Sequence, residues 1–254
     1  MREIGDDVKK TIMAIGAHAD DVEIRAGGTL ARYHGMGYEV IYVLATNNTA
    51  GSSVSQTALE HAAQRRNEAL EGARVLHTKP IYLDFKETLF EKAGERERLG
   101  FQPVDLSDYP EWGRDKVPIV CAQDCDEAIE EVTALLCRHE PEIVLTHSPT
   151  EKHEHWATCV LALRAFHRAR ECVELGTLYA WADSGSATVS TAPDFFVDVT
   201  DAVQTKYLAL GKHESQGFGE MPDPPNRARE LYWGTFIGVR FAEAFTTLAR
   251  GGGP

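Results

Sequence analysis

The segment Thr11-Ile-Met-Ala-Ile-Gly-Ala-His-Ala-Asp-Asp21 sets the first expectation about the fold. Its apolar part, residues 11–17, is short, unbroken and followed directly by polar residues, which is typical of a strand buried on both faces of a parallel sheet. A helical pattern follows at 26–37, where Gly35 and Gly37 mark the end of the helix. The segment therefore predicts a strand that leads into a helix, with one His and two Asp side chains at the junction.

The rest of the chain repeats this alternation. Apolar runs predict five more strands, at 39–46, 81–83, 142–147, 178–181 and 195–199. Amphipathic patterns predict helices at 56–77, 122–138, 155–172 and 200–213. Strands separated by helices of this length favour a mostly parallel sheet with helices on both faces. We interpret residues 1–254 as one Rossmann-like α/β domain.

One stretch, 86–120, lacks a clean period and carries three prolines. A connection of this length without regular structure is usually functional, so we expect a loop that contacts substrate. Its aromatic side chains would suit stacking on a sugar ring, although they could equally form a small satellite core; they are Phe90, Phe101, Tyr109 and Trp112.

Composition excludes several classes of function. The chain has 26 Lys and Arg against 39 Asp and Glu, a formal net charge of −13, so nucleic-acid binding is not expected. No apolar run reaches the ~20 residues that span a membrane, and the first residues lack an export signal, which predicts a cytoplasmic protein. Five cysteines then read as reduced thiols, and Cys121-x-x-x-Cys125 lacks the second close pair of a structural zinc site.

Chemistry-bearing side chains follow the first predicted strand. His18 and Asp21 are three positions apart, so a turn could direct both toward one metal ion, with Asp20 beside it. Imidazole and carboxylate ligands suit zinc or a similar divalent ion. The alternative is that Asp20 or Asp21 caps the helix that follows.

A second polar cluster follows the fourth predicted strand. It contains three histidines within nine residues, His147, His153 and His155. If the strand order reverses between the first and fourth strands, this cluster meets the first one at the switch point of the sheet. One of these histidines would then complete a His-Asp-His site with a position left for water. The alternative, strongest for His147, is a solvated and charged helix start.

The sequence resembles the PIG-L/LmbE-like zinc-dependent de-N-acetylases, and the match spans about residues 12–245 in order. Ala17-His-Ala-Asp-Asp21 is similar to the family's Ala-His-Pro-Asp-Asp motif, with Ala19 in place of proline. Further matching segments are Gly27-Gly-Thr-Leu30, Arg65-x-x-Glu68-Ala69, Lys206-x-x-Ala209-x-x-x-His213-x-Ser215-Gln216, and the closing residues Tyr232, Phe241 and Glu243.

The resemblance implies a set of roles. His18, Asp21 and His155 would be the metal ligands, for Zn²⁺ or another divalent transition metal, and Asp20 the general base. The segment before His155 is one residue shorter than the family pattern. We align His153 with the family's auxiliary histidine and Glu154 with its aspartate, whereas an ungapped alignment places Lys152 at the auxiliary position.

Other residues of the resemblance have less definite roles. The amine leaving group needs an acid, either His153 or Asp20 returning its proton. Arg65 could contact the active-site carboxylates or the substrate, or form a salt bridge with Glu68. His213, Ser215 and Gln216 are interpreted as structural.

The function implied is removal of an N-acetyl group from an N-acetylglucosamine-type amino-sugar derivative, a small-molecule substrate. Alternatives are a metal-dependent hydratase or other lyase on the same fold, a nucleotide-binding module and a metal-free binding protein. The nucleotide module is disfavoured because His18 and two aspartates stand where a glycine-rich phosphate loop would follow the first strand. A homo-oligomer is compatible with the sequence, which does not fix the oligomeric state.

Overall fold

The strands form one mixed sheet. The computed structural model describes residues 10–49, 56–87, 110–151, 153–182, 192–219 and 224–252. In these ranges the strands are β1 (Thr11–Gly16), β2 (Glu39–Thr46), β3 (Pro80–Phe85), β4 (Ile143–Thr146), β5 (Thr177–Trp181), β6 (Phe195–Asp198) and β7 (Ala242–Arg250). Their order is β3-β2-β1-β4-β5-β7-β6. The pairs from β3 to β5 are parallel and β7 is antiparallel to both neighbours, which confirms the predicted mostly parallel sheet.

Helices pack on both faces of this sheet. They are α1 (Asp21–Gly35), α2 (Ala58–Val75), α3 (Ile119–Ala122), α4 (Asp126–His139), α5 (His153–Ala169), α6 (Val203–Leu210) and α7 (Pro224–Ile237). The start of α2 is fixed locally by a capping box, in which Thr57 and Glu60 each accept from the other's backbone N–H. None of the helices in the described ranges is long and apolar enough to cross a membrane.

The alternation of side chains along β1 divides the core between the two faces. Met13 and Ile15 pack in the cluster that includes residues of α4 and α5. Ile12 and Ala14 pack in the cluster that includes residues of α1 and α6. Every residue of β1 is buried, because successive side chains point to opposite faces and both faces are covered.

Two elements near the end of the chain were not predicted, α7 and β7. The first four residues of β7 are all buried, since Ala242 and Ala244 pack with Trp233 of α7 while Phe245 packs in the core on the other face. A strand covered on both faces shows no polar–apolar alternation, and Ala is a weak strand former, so the sequence signal was missing.

The predicted substrate loop, 86–120, is described only at 86–87 and 110–120. In those parts Lys86 pairs with Pro118 in an isolated bridge, and α3 begins at Ile119. Trp112 lies beside Arg66, whose guanidinium carbon is 5.3 Å from the ring centroid. The segment 88–109, with three of the four aromatic residues, lies outside the described residues, so contact with substrate stays a prediction.

A buried group of charges joins the late elements to α1, and we call it the lysine cluster: Lys206, Tyr207, Glu230 and Glu243. Lys206 Nζ donates to Glu230 Oε1 and to Glu243 Oε1, both at 2.6 Å, and its side chain is 0% exposed. Glu243 also accepts from the backbone N–H groups of Gly28 and Thr29. Gly28 permits this close packing, because a Cβ there would lie 2.9 Å from Val199.

Candidate metal centre

The candidate site lies where the strand order reverses. β1 pairs with β2 on one side and with β4 on the other, so the loops that follow β1 and β4 leave the sheet side by side. His18 lies two residues beyond β1 and His147 directly follows β4. Crevices at such switch points are where open α/β sheets bind ligands, so the two polar clusters of the sequence meet as the strand reversal requires.

The structure brings together the three residues predicted as metal ligands. His18 Nδ1 lies 3.3 Å from Asp21 Oδ2 and 3.2 Å from His155 Nε2. His155 Nε2 lies 3.5 Å from Asp21 Oδ1. One donor atom from each of the three residues lies within 4.8 Å of the others. Their side chains are 21%, 11% and 32% exposed, so solvent reaches the cluster.

The second ring nitrogen of His18 faces two carboxylates. His18 Nε2 lies 2.9 Å from Glu154 Oε2 and 3.3 Å from Glu87 Oε1. Burial lowers the pKa of His18, but its contacts with Asp21 and Glu154 outweigh that effect and raise the pKa well above the usual imidazole value. The surroundings of His18 therefore favour positive charge.

Glu151 contacts the ring nitrogens of two histidines, His147 and His155, that face away from Asp21. Its Oε2 lies 2.9 Å from His147 Nδ1 and 2.7 Å from His155 Nδ1. His147 Nε2 accepts from the backbone N–H of Ala17 and lies 3.2 Å from Asp21 Oδ2, so His147 bridges the loop after β1 and Glu151. His147 is completely buried, so the alternative of a solvated helix start does not hold for it.

Asp20, the predicted general base, sits in a strained backbone conformation. Its φ of 108° lies in the left-handed region, which non-glycine residues seldom occupy. Its side chain makes no capping hydrogen bond to α1, although Asp20 is the residue before the helix. Burial and the charge of Asp21 raise the pKa of Asp20, while Arg65 opposes them. Asp20 does not serve as a side-chain helix cap, and it is placed beside Asp21 with its proton affinity increased.

Arg65 contacts both groups of the protein that the sequence suggested for it, an active-site carboxylate and Glu68. Its guanidinium lies 3.4 Å from Asp20 Oδ1 and 3.8 Å from Glu68 Oε2, and Nη2 donates to the carbonyl of Ala19. Glu68 in turn accepts from the backbone N–H and hydroxyl of Ser215. Nη1 is buried without a hydrogen bond to any described residue. Contact of Arg65 with substrate stays a prediction.

The auxiliary position stays open between two residues. His153 begins α5 with a φ of 53°, and its side chain is exposed to solvent. Lys152 lies outside the described residues. A role for either side chain stays a prediction.

Sequence reasoning missed Glu87, Glu151 and Asn48. Glu87 follows β3 at the same edge of the sheet, so the rule that ligands bind beyond the strand ends could have indicated it. Glu151 stands four residues from His147 and from His155, a spacing that places three side chains together in a helix-like turn. Asn48 Oδ1 accepts from the backbone N–H of Ala19, which ties the loop after β1 to that after β2. This long-range contact leaves no local signal.

The donors fit a divalent transition metal. Two imidazole nitrogens and one carboxylate are a common ligand set of catalytic zinc. The ring nitrogens of His18 and His155 that face away from the cluster each meet a carboxylate, as the histidine ligands of metal sites usually do. Fold and donors together define an α/β protein with a candidate centre for metal-dependent hydrolysis.

Comparison with known proteins places the chain in a family. The model of the PIG-L family, GlcNAc-PI de-N-acetylase, matches residues 13–166, which is more than half of the chain. The chain belongs to this family, and the resemblance seen in the sequence is confirmed.

Individual relatives match this chain over most of its length. The diacetylchitobiose deacetylase of Thermococcus kodakarensis is 27% identical, over 94% of this chain and 82% of that protein. The solved N,N'-diacetylchitobiose deacetylase of Pyrococcus horikoshii, in complex with an inhibitor, superposes with a TM-score of 0.69 at 24% identity, over 94% of this chain and 84% of that one. A 4-carboxy-2-hydroxymuconate hydratase from Pseudomonas putida superposes with a TM-score of 0.67 at 19% identity, over 94% and 96% of the two chains. Both structural likenesses concern the fold.

Proposed function

We propose that the chain is a zinc-dependent hydrolase that removes the N-acetyl group from an N-acetylglucosamine-type amino-sugar derivative. The observation that carries the proposal is the convergence of His18, Asp21 and His155 beside the buried carboxylate of Asp20. Membership of a de-N-acetylase family and the 27% identity to a diacetylchitobiose deacetylase support the amide and amino-sugar parts.

The residues divide the chemistry among them. His18, Asp21 and His155 would hold a divalent ion, which would supply a water of lowered pKa and polarise the substrate carbonyl. Asp20 accepts the proton of the attacking water and returns it to the departing amine, with His153 as the second candidate acid. The strained backbone at Asp20 and the Arg65 guanidinium 3.4 Å from its Oδ1 hold the carboxylate in one place.

Arg65 offers a further group to the substrate. Its Nη1 is the buried guanidinium nitrogen without a hydrogen bond to any described residue. A substrate carbonyl oxygen within hydrogen-bond distance of Nη1 would give this buried donor an acceptor. We include Arg65 as a residue that contacts the substrate or orients Asp20.

The experiment measures metal and product on the same preparation. Elemental analysis of the purified chain gives the metal bound, and acetate release is followed with N,N'-diacetylchitobiose and a panel of N-acetylglucosaminides. We expect acetate from at least one of them, with loss of turnover after chelation and recovery on adding zinc. The Asp20→Asn variant, loaded with metal, controls for contaminating deacetylase.

The hydratase is the second candidate, since a fold neighbour carries that activity. Hydration of an unsaturated carboxylic acid is read as loss of ultraviolet absorbance and releases no acetate. Absence of acetate from the whole panel, together with metal-dependent loss of that absorbance, would replace deacetylation by hydration. The cytoplasmic location stays a prediction of the sequence, which does not fix the oligomeric state.

A further inference from the structure

The two ring nitrogens of His18 face different groups of side chains. Nδ1 faces Asp21 and His155, the other two residues of the proposed metal site, at 3.3 and 3.2 Å. Nε2 faces Glu154 and Glu87, at 2.9 and 3.3 Å. A neutral imidazole has one N–H and one lone pair, so it can offer the lone pair to a cation on one side only.

The carboxylates decide which side carries the proton. A carboxylate accepts hydrogen bonds and donates none, so Glu154 and Glu87 favour a hydrogen on Nε2, and Asp21 favours one on Nδ1 as long as it binds no cation. The side chain of Glu87 is 2% exposed and that of Glu154 is 16% exposed. The negative charges of Glu87 and Glu154 beside one nitrogen repel each other unless a proton lies between them and the ring. With Asp21 and His155 engaged by a metal ion, the remaining ring proton would therefore stay on Nε2, and the lone pair of Nδ1 would face the ion.

The two carboxylates come from different parts of the fold. Glu154 is the second residue of α5, next to His155, and Glu87 lies two residues beyond β3. Thr49, which follows β2, directs its hydroxyl toward Glu87 Oε2 at 3.4 Å. The position of the His18 ring is therefore set from three segments, those that follow β2 and β3 and the start of α5.

We propose that Glu154, supported by Glu87, is a positioning residue that holds the Nε2–H of His18 and so presents Nδ1 to the metal ion. This inference rests on the metal site of the proposed function. Neither glutamate touches the substrate in this role, and each acts through His18. Carboxylate partners of ligand histidines typically contribute a factor of ~10–100 to metal affinity.

A second cation between His18 Nε2, Glu87 and Glu154 is the competing interpretation, because these three atoms also lie within 4.8 Å of one another. His18 would then have to lose both ring protons to bind a metal on each side. An imidazole gives up its second proton only at high cost, so one proton on Nε2 is favoured over a second metal.

The test compares Glu154→Gln with Glu154→Asp and with Glu71→Gln. Gln keeps the length of the side chain and removes its negative charge. Asp keeps the charge, but its side chain is one methylene shorter, so the carboxylate lies farther from His18. Glu71 lies on the surface of α2 and pairs with Arg74, so its substitution removes the same charge far from the site. Zinc affinity is measured by competition with a chromophoric chelator, without substrate. The His18 tautomer is read from ¹⁵N shifts of the ring, assigned with His18→Ala.

We expect the wild type to bind one zinc per chain and to carry the His18 proton on Nε2 in the zinc form. Glu154→Gln should weaken zinc binding about tenfold, because a neutral amide is a poorer acceptor than a carboxylate. Glu154→Asp should fall between Gln and the wild type, and Glu71→Gln should match the wild type.

Two results would overturn the inference. Unchanged zinc affinity and tautomer in Glu154→Gln would show that Glu154 does not position His18. Two zinc ions per wild-type chain, with the second lost in Glu154→Gln, would make the three groups a metal site. These readouts are separate from acetate release: lower affinity in Glu154→Gln without any deacetylation would reject the proposed function and keep the positioning role.

Discussion

Two clusters of charged side chains lie in this protein, and they differ in how their carboxylates are satisfied. In the lysine cluster, Lys206 Nζ donates to Glu230 and Glu243 at 2.6 Å each, Tyr207 donates to Glu230 at 2.6 Å, and all four residues are largely or fully buried. In the candidate metal centre, the atoms of His18, Asp21 and His155 that face one another can all act as acceptors, and the side chains are partly exposed.

The two clusters differ in whether a side chain supplies the cation. In the lysine cluster, Lys206 Nζ is that cation and lies between the carboxylates of Glu230 and Glu243. At the candidate centre, donors of metal-ligand type converge on one another, and the pKa of His18 is raised because its surroundings favour positive charge. A cluster in which a lysine neutralises the carboxylates acts in stability, whereas one in which donors of metal-ligand type converge is suited to bind a cation.

The largest expected effect comes from removing a ligand. His18→Ala, Asp21→Ala and His155→Ala should each lower bound zinc well below one per chain and reduce turnover on the order of 10⁴-fold or more, because the metal contributes several kcal/mol to the transition state. Elemental analysis and acetate release check this, and far-ultraviolet circular dichroism should show an intact fold. Full zinc occupancy in any of the three variants would remove that residue from the set of ligands.

Replacing the proposed base should separate chemistry from metal binding. Asp20→Asn keeps the shape of the side chain but cannot accept a proton at neutral pH, so turnover should fall on the order of 10²–10⁴-fold. Zinc content should stay at the wild-type level. Turnover within threefold of the wild type would show that Asp20 only supports the loop after β1.

The lysine cluster should respond in stability instead. Lys206→Met leaves Glu230 and Glu243 facing each other without their cation, which should lower the free energy of unfolding by about 3–5 kcal/mol. Lys116→Met is the matched control, since Lys116 pairs with Glu131 where both side chains are about a third exposed. That change should cost less than about 1 kcal/mol. Urea unfolding measures both, and equal losses would contradict the distinction between the clusters.

The smallest expected effect concerns the start of α5. If His153 serves as acid or oxyanion partner, His153→Ala should lower kcat on the order of 10²-fold, at the lower end of general acid–base effects, and move the basic limb of the pH profile. Zinc content should not change. If Lys152 has that role, Lys152→Ala should show the loss and His153→Ala a mild effect. Near-normal kcat in both would leave proton transfer to Asp20 alone.

The sequence was sufficient for the parallel part of the sheet and for the expectation that the proposed ligands lie close together at one edge of it. The runs that became β1, β2 and β4 are continuous and apolar, and the polar clusters directly follow β1 and β4. The strand order then brings those clusters together without further information.

What could not be predicted depends on packing between distant segments. β7 is covered on both faces and has no alternating pattern. The carboxylate of Glu87 meets His18 only because β3 lies two strands from β1 in the sheet. The left-handed backbone of Asp20 is supported by Asn48 through Ala19, a contact across 29 positions. None of these features has a local sequence signal.

The bond between Glu243 and the backbone of α1 has a consequence for biosynthesis. Gly28 and its acceptor are 215 positions apart, so a chain leaving the ribosome exposes α1 long before the residue that holds it has been made. The family-matched portion, 13–166, contains every proposed ligand but neither Lys206 nor Glu243. A fragment of residues 13–166 would contain the proposed ligands but would lack Glu243, which accepts hydrogen bonds from the backbone of α1, the helix that carries Asp21. We therefore expect a fragment that ends at residue 166 to be less stable than one that extends through β7.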